Sequence, residues 1–200
     1  MIVTHFRTLA EPYSTEYKDK GSRFIAFAYP IQLADEVKEH VETLKKEHHK
    51  AVHWCYAYRV GVDGLQFRAN DDGEPAGSAG RPILGQIDSA ELTDVLVVVV
   101  RYFGGTLLGV PGLIRAYKTV TAEVLNQAQT IQKNIKKVAL LICDYPYLND
   151  ALLIAKQHQA QVMKQDLQID CRLTVEVPLA TFDACLAAWQ QARSIDIEVL

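Results

Sequence analysis

Hydrophobic and polar positions along the chain first show a strand at Arg23–Tyr29, aromatic-rich, alternating and closed by Pro30. Leu33, Val37, Val41 and Leu44 then recur at helical spacing, and the run Glu47-His48-His49-Lys50 closes that helix as a solvated end. Val52–Val60 reads as a strand, Gly61-Val62-Asp63-Gly64 as a turn and Gln66–Arg68 as a short return, which together predict a hairpin. All periodicity stops across residues 70–82. A short helix is expected at Ile83–Ile87. Thr93–Phe103 contains six consecutive aliphatic residues, Val95–Val100, without alternation, the mark of an interior strand covered on both faces. A glycine-rich loop, Gly104–Gly112, leads into a helix from about Leu113 to Ala128, with Leu113, Tyr117, Val120, Val124 and Ala128 on one face. Pro111 suits its first turn, where a missing N–H costs nothing.

Gln129–Asn134 is polar and patternless and reads as a linker. Beyond it the pattern restarts: strand Val138–Cys143, helix Leu148–Gln159, strands Gln161–Leu167 and Gln168–Val177, a helix marked by Phe182, Cys185, Leu186 and Trp189, and strand Ile195–Leu200. The order β-α-β-β-α-β is that of a split βαβ, ferredoxin-like unit. The expectation is α+β in two domains, residues 1–128 and 135–200. Strands Val138–Ile142 and Cys171–Val175 of the second carry no aromatics, which disfavours base stacking of the RNA-recognition-motif kind.

The chain has 200 residues, 49% hydrophobic and 22% charged, which excludes wholesale disorder. Its longest apolar run is far shorter than a membrane span. The first fourteen residues lack the basic start and apolar stretch of a signal peptide, so a cytoplasmic protein is expected. The net charge of −3 belongs to both halves, so charge alone does not predict broad nucleic-acid binding. Cys55, Cys143, Cys171 and Cys185 form no C-x-x-C pair and read as reduced, buried thiols.

Chemistry concentrates in two stretches. In Arg101-Tyr102-Phe103-Gly104-Gly105 through Gly112, the glycines let a ligand approach the backbone. The following helix offers free N–H groups and its positive dipole end, so an anion cradle and a tight structural turn are both open readings. Arg101 interrupts an apolar strand and needs a carboxylate, for which Asp71, Asp72 and Glu74 are the candidates. Asp71, Asp72 and Glu74 also form a carboxylate cluster of the kind that binds Mg²⁺, although the favoured reading is a structural turn with Ser78 as a helix cap. Arg115 and Lys118 extend the positive surface or simply face solvent. His48, His49 and His53 have no ligand spacing; His48 and His49 read as solvated and His53 as packed or half-exposed. Trp54, Tyr56 and Tyr58 share one strand face, where they pack in a core or stack bases.

Three stretches resemble the IMPACT family: Lys20-Gly21-Ser22-Arg23-Phe24, Asp71–Gly80 and Val99–Gly109, in family order and spacing. Gly21 and Pro111-Gly112 depart mildly from the family form. The resemblance implies a first domain of the ribosomal protein S5 domain 2-like class. It also implies a second domain similar to the ferredoxin-like C-terminal domain of elongation factor G. Eukaryotic members carry a further RWD domain, for which this chain has no room, and regulate translation under amino-acid starvation by competing for an activator of an initiation-factor kinase. Bacteria lack that partner system, and no established catalytic activity comes with the family.

The leading expectation is therefore a non-enzymatic binding or regulatory protein linked to translation or RNA. Its expected ligand residues are Asp71, Asp72, Glu74, Arg101, Gly104, Gly105, Gly109 and Arg115. RNA, a nucleotide or a ribosome-associated protein is the expected partner, with no cofactor, no metal and no membrane. The alternatives are a Mg²⁺-dependent enzyme acting on a phosphorylated substrate through Asp71, Asp72 and Glu74, and a protein–protein adaptor. The absence of ligand spacing among Cys and His makes one prediction. Elemental analysis of protein purified without chelator is expected to give well under one zinc per chain; a stoichiometric value overturns it.

Overall fold

The computed structural model describes residues 3–62, 64–192 and 194–200. It is a mixed α/β structure that divides into two compact units, Phe6–Lys133 and Asn134–Leu200, the latter together with residues 3–5. Among the described residues, no helix is long and apolar enough to cross a membrane.

Apart from the end residues His5 and Asn134, which fall to the other unit, the first unit contains β1 (His5–Leu9), β2 (Tyr13–Asp19), β3 (Ser22–Pro30), α1 (Glu36–Glu47), β4 (His53–Val60), β5 (Gln66–Asn70), α2 (Gly80–Ser89), β6 (Val95–Tyr102), α3 (Gly109–Gln127) and β7 (Thr130–Asn134). Its main sheet has the order β2-β3-β6-β4-β5, with antiparallel neighbours throughout. β6 is central and its residues Val95–Val100 are wholly buried. Successive side chains of a strand point to opposite faces. Val95, Val97 and Val99 accordingly join the core under α2 and α3 with Ile83, Ile87, Tyr117 and Val120. Leu96, Val98 and Val100 join the smaller core under α1 with Val37 and Leu44. The uninterrupted aliphatic run thus comes from cover on both faces, here in an antiparallel sheet.

Trp54, Tyr56 and Tyr58 pack half-buried against the α1 core, while Cys55 and Ala57 face the larger one. Leu33 lies ahead of α1 and is exposed. Of the predicted hairpin turn, Asp63 lies outside the described residues; β4 and β5 pair as expected, and Gly64 N–H donates to Gly61 O at 2.9 Å.

The stretch read as a linker, Gln129–Asn134, is largely strand: β7 pairs with β1, and Ala10 N–H donates to Gln129 O at 2.9 Å. A two-stranded ribbon with most side chains in water needs no hydrophobic alternation, so its sequence looks patternless. The same holds for β2, a polar edge strand.

The second unit contains β8 (Lys136–Cys143), α4 (Leu148–Gln157), β9 (Gln161–Leu167), β10 (Cys171–Pro178), α5 (Phe182–Gln191) and β11 (Ile195–Val199). Its sheet order is β11-β8-β10-β9, with antiparallel neighbours. Ala139, Leu141, Leu173 and Val175 point into a core closed by Ala151, Ala155, Cys185 and Trp189. All four cysteines are free and buried, and burial pushes the Cys185 thiol up to about 11.

The start of α2 differs from the expected Ser78 cap. Ser78 is fully buried and its Oγ has no hydrogen-bond partner. Asp71 does the work from the preceding loop: its carboxylate accepts from the N–H groups of Gly77 at 2.8 Å, Ala79 at 3.0 Å and Gly80 at 2.8 Å. Those donors would otherwise be orphaned at the helix entrance. Burial acts to raise the Asp71 carboxyl, but the three N–H bonds outweigh it and its pKa lies below the ordinary Asp value. A depressed native pKa stabilises the fold above the unfolded value and is lost as pH falls through the native one. Asp71→Ala is therefore expected to cost about 2 kcal/mol in urea unfolding at pH 7, with the difference from wild type shrinking below about pH 4. A cost under about 0.5 kcal/mol at pH 7 refutes this assignment.

Candidate functional site

Arg101 is next to last in β6 and follows Val95, Val97 and Val99 on the face toward α3. Its side chain is buried, which demands a counter-charge. Glu74 supplies it: the guanidinium Nη1 donates to Glu74 Oε1 at 2.6 Å, and both side chains are more than nine-tenths buried. Tyr117, fully buried on α3, donates its hydroxyl to the same Oε1 at 2.8 Å. Burial pushes the Tyr117 hydroxyl far above its ordinary value, reinforced by the neighbouring Cys55 and Glu74, so it remains a donor. The Cys55 thiol, also raised by burial, lies 3.3 Å from Tyr117 Oη and 3.0 Å from Asp71 O. The guanidinium further lies over the rings of Phe24 and Phe103, at 5.5 and 5.8 Å. Its buried Nε has no hydrogen-bond partner.

The loop that delivers Glu74 is pinned on both sides. Asp71 holds the entrance to α2, as above. Asp72 accepts from Trp54 N–H at 2.7 Å through Oδ2, and Lys45 lies 3.6 Å from Oδ1. Asp72 N–H donates to Asn70 Oδ1 at 2.8 Å. His53, opposite Arg101 in the β4–β6 ladder, places Nδ1 2.8 Å from Asp72 O and Nε2 3.9 Å from Glu74 Oε2.

Above this floor opens a cavity of about 440 Å³. Glu74, Arg101 and His53 contribute its polar groups; Val52, Pro75, Phe103, Leu108, Val110 and Leu113 are among the apolar residues around them. Gly109, at φ +69°, lets the loop enter α3 along the rim.

The cavity thus brings together Glu74, Arg101 and Gly109 of the expected residues. Asp71 and Asp72 stand behind it, engaged with backbone N–H groups. Gly104 serves backbone packing: a Cβ built there would lie 1.8 Å from the carbonyl carbon of Gly21, and its N–H donates to Ser22 Oγ at 3.3 Å. This contact brings two of the three family-like stretches together. Gly105, at φ +84°, is exposed with open space around it. Arg115 and Lys118 are exposed on α3 and do not line the cavity. His53 and Tyr117 were not expected at a site. Tyr117 sits on the apolar stripe of a helix, and His53 had no ligand-like spacing. The one available signal for His53 was its place two residues before Cys55 on a strand face that reaches the same strand end as Arg101.

Residues 20–125 match the family model for the Impact N-terminal domain, a span that contains every residue lining the cavity. The chain is 35% identical over 183 residues to the IMPACT family member YigZ of Escherichia coli (strain K12), covering 89% of this chain and 90% of that protein. It is 33% identical over 171 residues to an IMPACT family member of Haemophilus influenzae, covering 84% and 83%. Likeness to Protein IMPACT of Rattus norvegicus is confined to 96 residues, 36% identical, covering 46% of this chain and 30% of that one. A crystal structure of a hypothetical protein, 32% identical, superposes with a TM-score of 0.77 over 100% of this chain and 98% of the other. Likeness along nearly the full length of the bacterial proteins, with the domain match over the cavity, means that the chain belongs to the IMPACT family.

Proposed function

We propose that this chain is a non-enzymatic, cytoplasmic binding protein linked to translation or RNA, and that its ligand enters the cavity above Arg101 and Glu74. The observation that carries the reading is that cavity: about 440 Å³ of mainly apolar wall over a buried charged pair, with an Arg101 Nε that has no partner. A few convergent polar groups at the base of an apolar pocket are the usual form of a small-ligand site. In this reading the first domain, residues 1–128, is of the S5 domain 2-like class. The second, residues 135–200, is ferredoxin-like, consistent with its strand order β11-β8-β10-β9. RNA, a nucleotide or a ribosome-associated protein is the proposed partner.

The state of the carboxylates favours binding over Mg²⁺-dependent catalysis. Asp71 accepts three backbone N–H groups, Asp72 accepts one and lies near Lys45, and Glu74 holds Arg101 and Tyr117. A metal would have to displace these partners. Simple anions are disfavoured too, since Arg101 is already paired. A nucleotide does better, by placing its apolar ring in the cavity and its phosphate at the rim, where α3 begins and Arg115 and Lys118 are near in sequence. Val52, Phe103, Leu107 and Val110 are exposed around the same opening, and these favour a protein-docking role as the second reading.

NMR titration with RNA oligonucleotides and nucleotides separates these readings. Amide shifts are expected across residues 104–113. Arg101→Ala is expected to weaken binding about tenfold or more. Leu107→Ser, at a position 83% exposed and therefore harmless to folding, is expected to weaken binding with an unchanged melting temperature. No shift in 104–113 with any of these probes overturns the ligand-site reading.

A further inference from the structure

We propose that the cavity floor recognises the exocyclic amino group of an unpaired nucleobase, so that the site takes adenine or cytosine and rejects hypoxanthine and uracil. The proposal rests on the reading of the cavity as a site for RNA or nucleotides and names what that site selects.

Two acceptors are presented side by side. Asp72 O is a carbonyl and only accepts, so the 2.8 Å contact places a proton on His53 Nδ1, and the proposal is for the ring that carries this one proton. That leaves Nε2 as a bare lone pair. Glu74 is fixed in a matching way: Arg101 and Tyr117 both donate to Oε1, while Oε2 faces Nε2 across 3.9 Å. A carboxylate oxygen and an imidazole lone pair cannot bond each other. They can share one nitrogen that carries two hydrogens. The Glu74 side chain is 3% exposed, and a hydrogen bond from a ligand amino group to its second oxygen counts for more in such a poorly hydrated setting than in water.

The surroundings decide which amino group fits. An alkylammonium would sit beside the Arg101 guanidinium, a like charge in a poorly hydrated place. A neutral amino group on a flat ring avoids that repulsion. Phe103, Val52, Pro75, Leu108 and Leu113 offer apolar surface to such a ring. Uracil and hypoxanthine place a carbonyl oxygen where cytosine and adenine carry the amino group. That oxygen would confront two acceptors with no proton between them. Sites built around a ligand N–H discriminate strongly against the analogue lacking it.

The test compares cytidine with uridine, and adenosine with inosine, by calorimetry or NMR titration on the wild-type full chain. In each pair the amino nucleoside is expected to bind at least about tenfold more tightly, the discrimination typical of one well-placed polar contact set. In His53→Ala, checked for folding by circular dichroism, the preference is expected to fall below about threefold. Equal affinity within both pairs in wild type overturns the amino-group proposal while leaving the cavity as a site for RNA or nucleotides. A preference for uridine or inosine, or one that survives in His53→Ala, overturns it as well. Failure of every nucleoside, nucleotide and RNA probe to bind overturns the underlying reading too.

Discussion

A cation at the end of a buried valine strand is the constraint on which the first unit turns. Arg101 follows six wholly buried aliphatic residues, and its own side chain is buried too. Such a charge is tolerable only with a partner of opposite sign and with hydrogen bonds that satisfy the pair. Three elements converge to meet that demand. The loop after β5 brings Glu74, α3 brings the Tyr117 hydroxyl, and β3 brings the Phe24 ring beneath the guanidinium. Each of these must be held in place, which explains why so much of the surrounding polar chemistry is directed at backbone. Asp71 and Asp72 do not reach toward the cavity. They fix the loop that carries Glu74.

The family-like stretches acquire separate physical roles in this light. Gly21 and Gly104 allow two backbones to meet where a Cβ would have no room. The Asp71–Gly80 stretch combines an acidic helix cap with delivery of Glu74. Val99–Gly109 supplies Arg101, then Phe103, then the loop that enters α3. Much of what makes these stretches conspicuous is architecture. What is left at the cavity itself is small: Glu74, His53 and Arg101 among the polar residues, and the apolar walls around them.

What was legible in the sequence follows from which side chains carry a periodic signal. β6, α3 and the β-α-β-β-α-β order of the second unit were readable because burial imposes period or run length on Val95–Val100, on Leu113–Val124 and on Val138–Cys143. β2 and β7 were not, because strands with mostly exposed side chains have no apolar face to repeat, and the five-residue β1 is too short to show a period. The need of Arg101 for a carboxylate could be read from its apolar context. The choice among Asp71, Asp72 and Glu74 could not, since it depends on how a non-repetitive loop folds. Ser78 looked like a cap because it stands next to the helix start. Asp71 took that role from a distance because a charged carboxylate satisfies three N–H groups at once, and Ser78 turned inward.

The claim that Arg101 and Glu74 act as one buried unit is tested most directly by a double-mutant cycle in urea unfolding, with Glu74→Gln, Arg101→Met and the double variant. Either single change strands a buried polar or charged group, and each is expected to cost about 3–5 kcal/mol. The double variant removes both partners and is expected to cost well under the sum, leaving a coupling of about 2 kcal/mol or more. Costs that add to within about 0.5 kcal/mol would contradict the account, because the two side chains would then stabilise the fold independently.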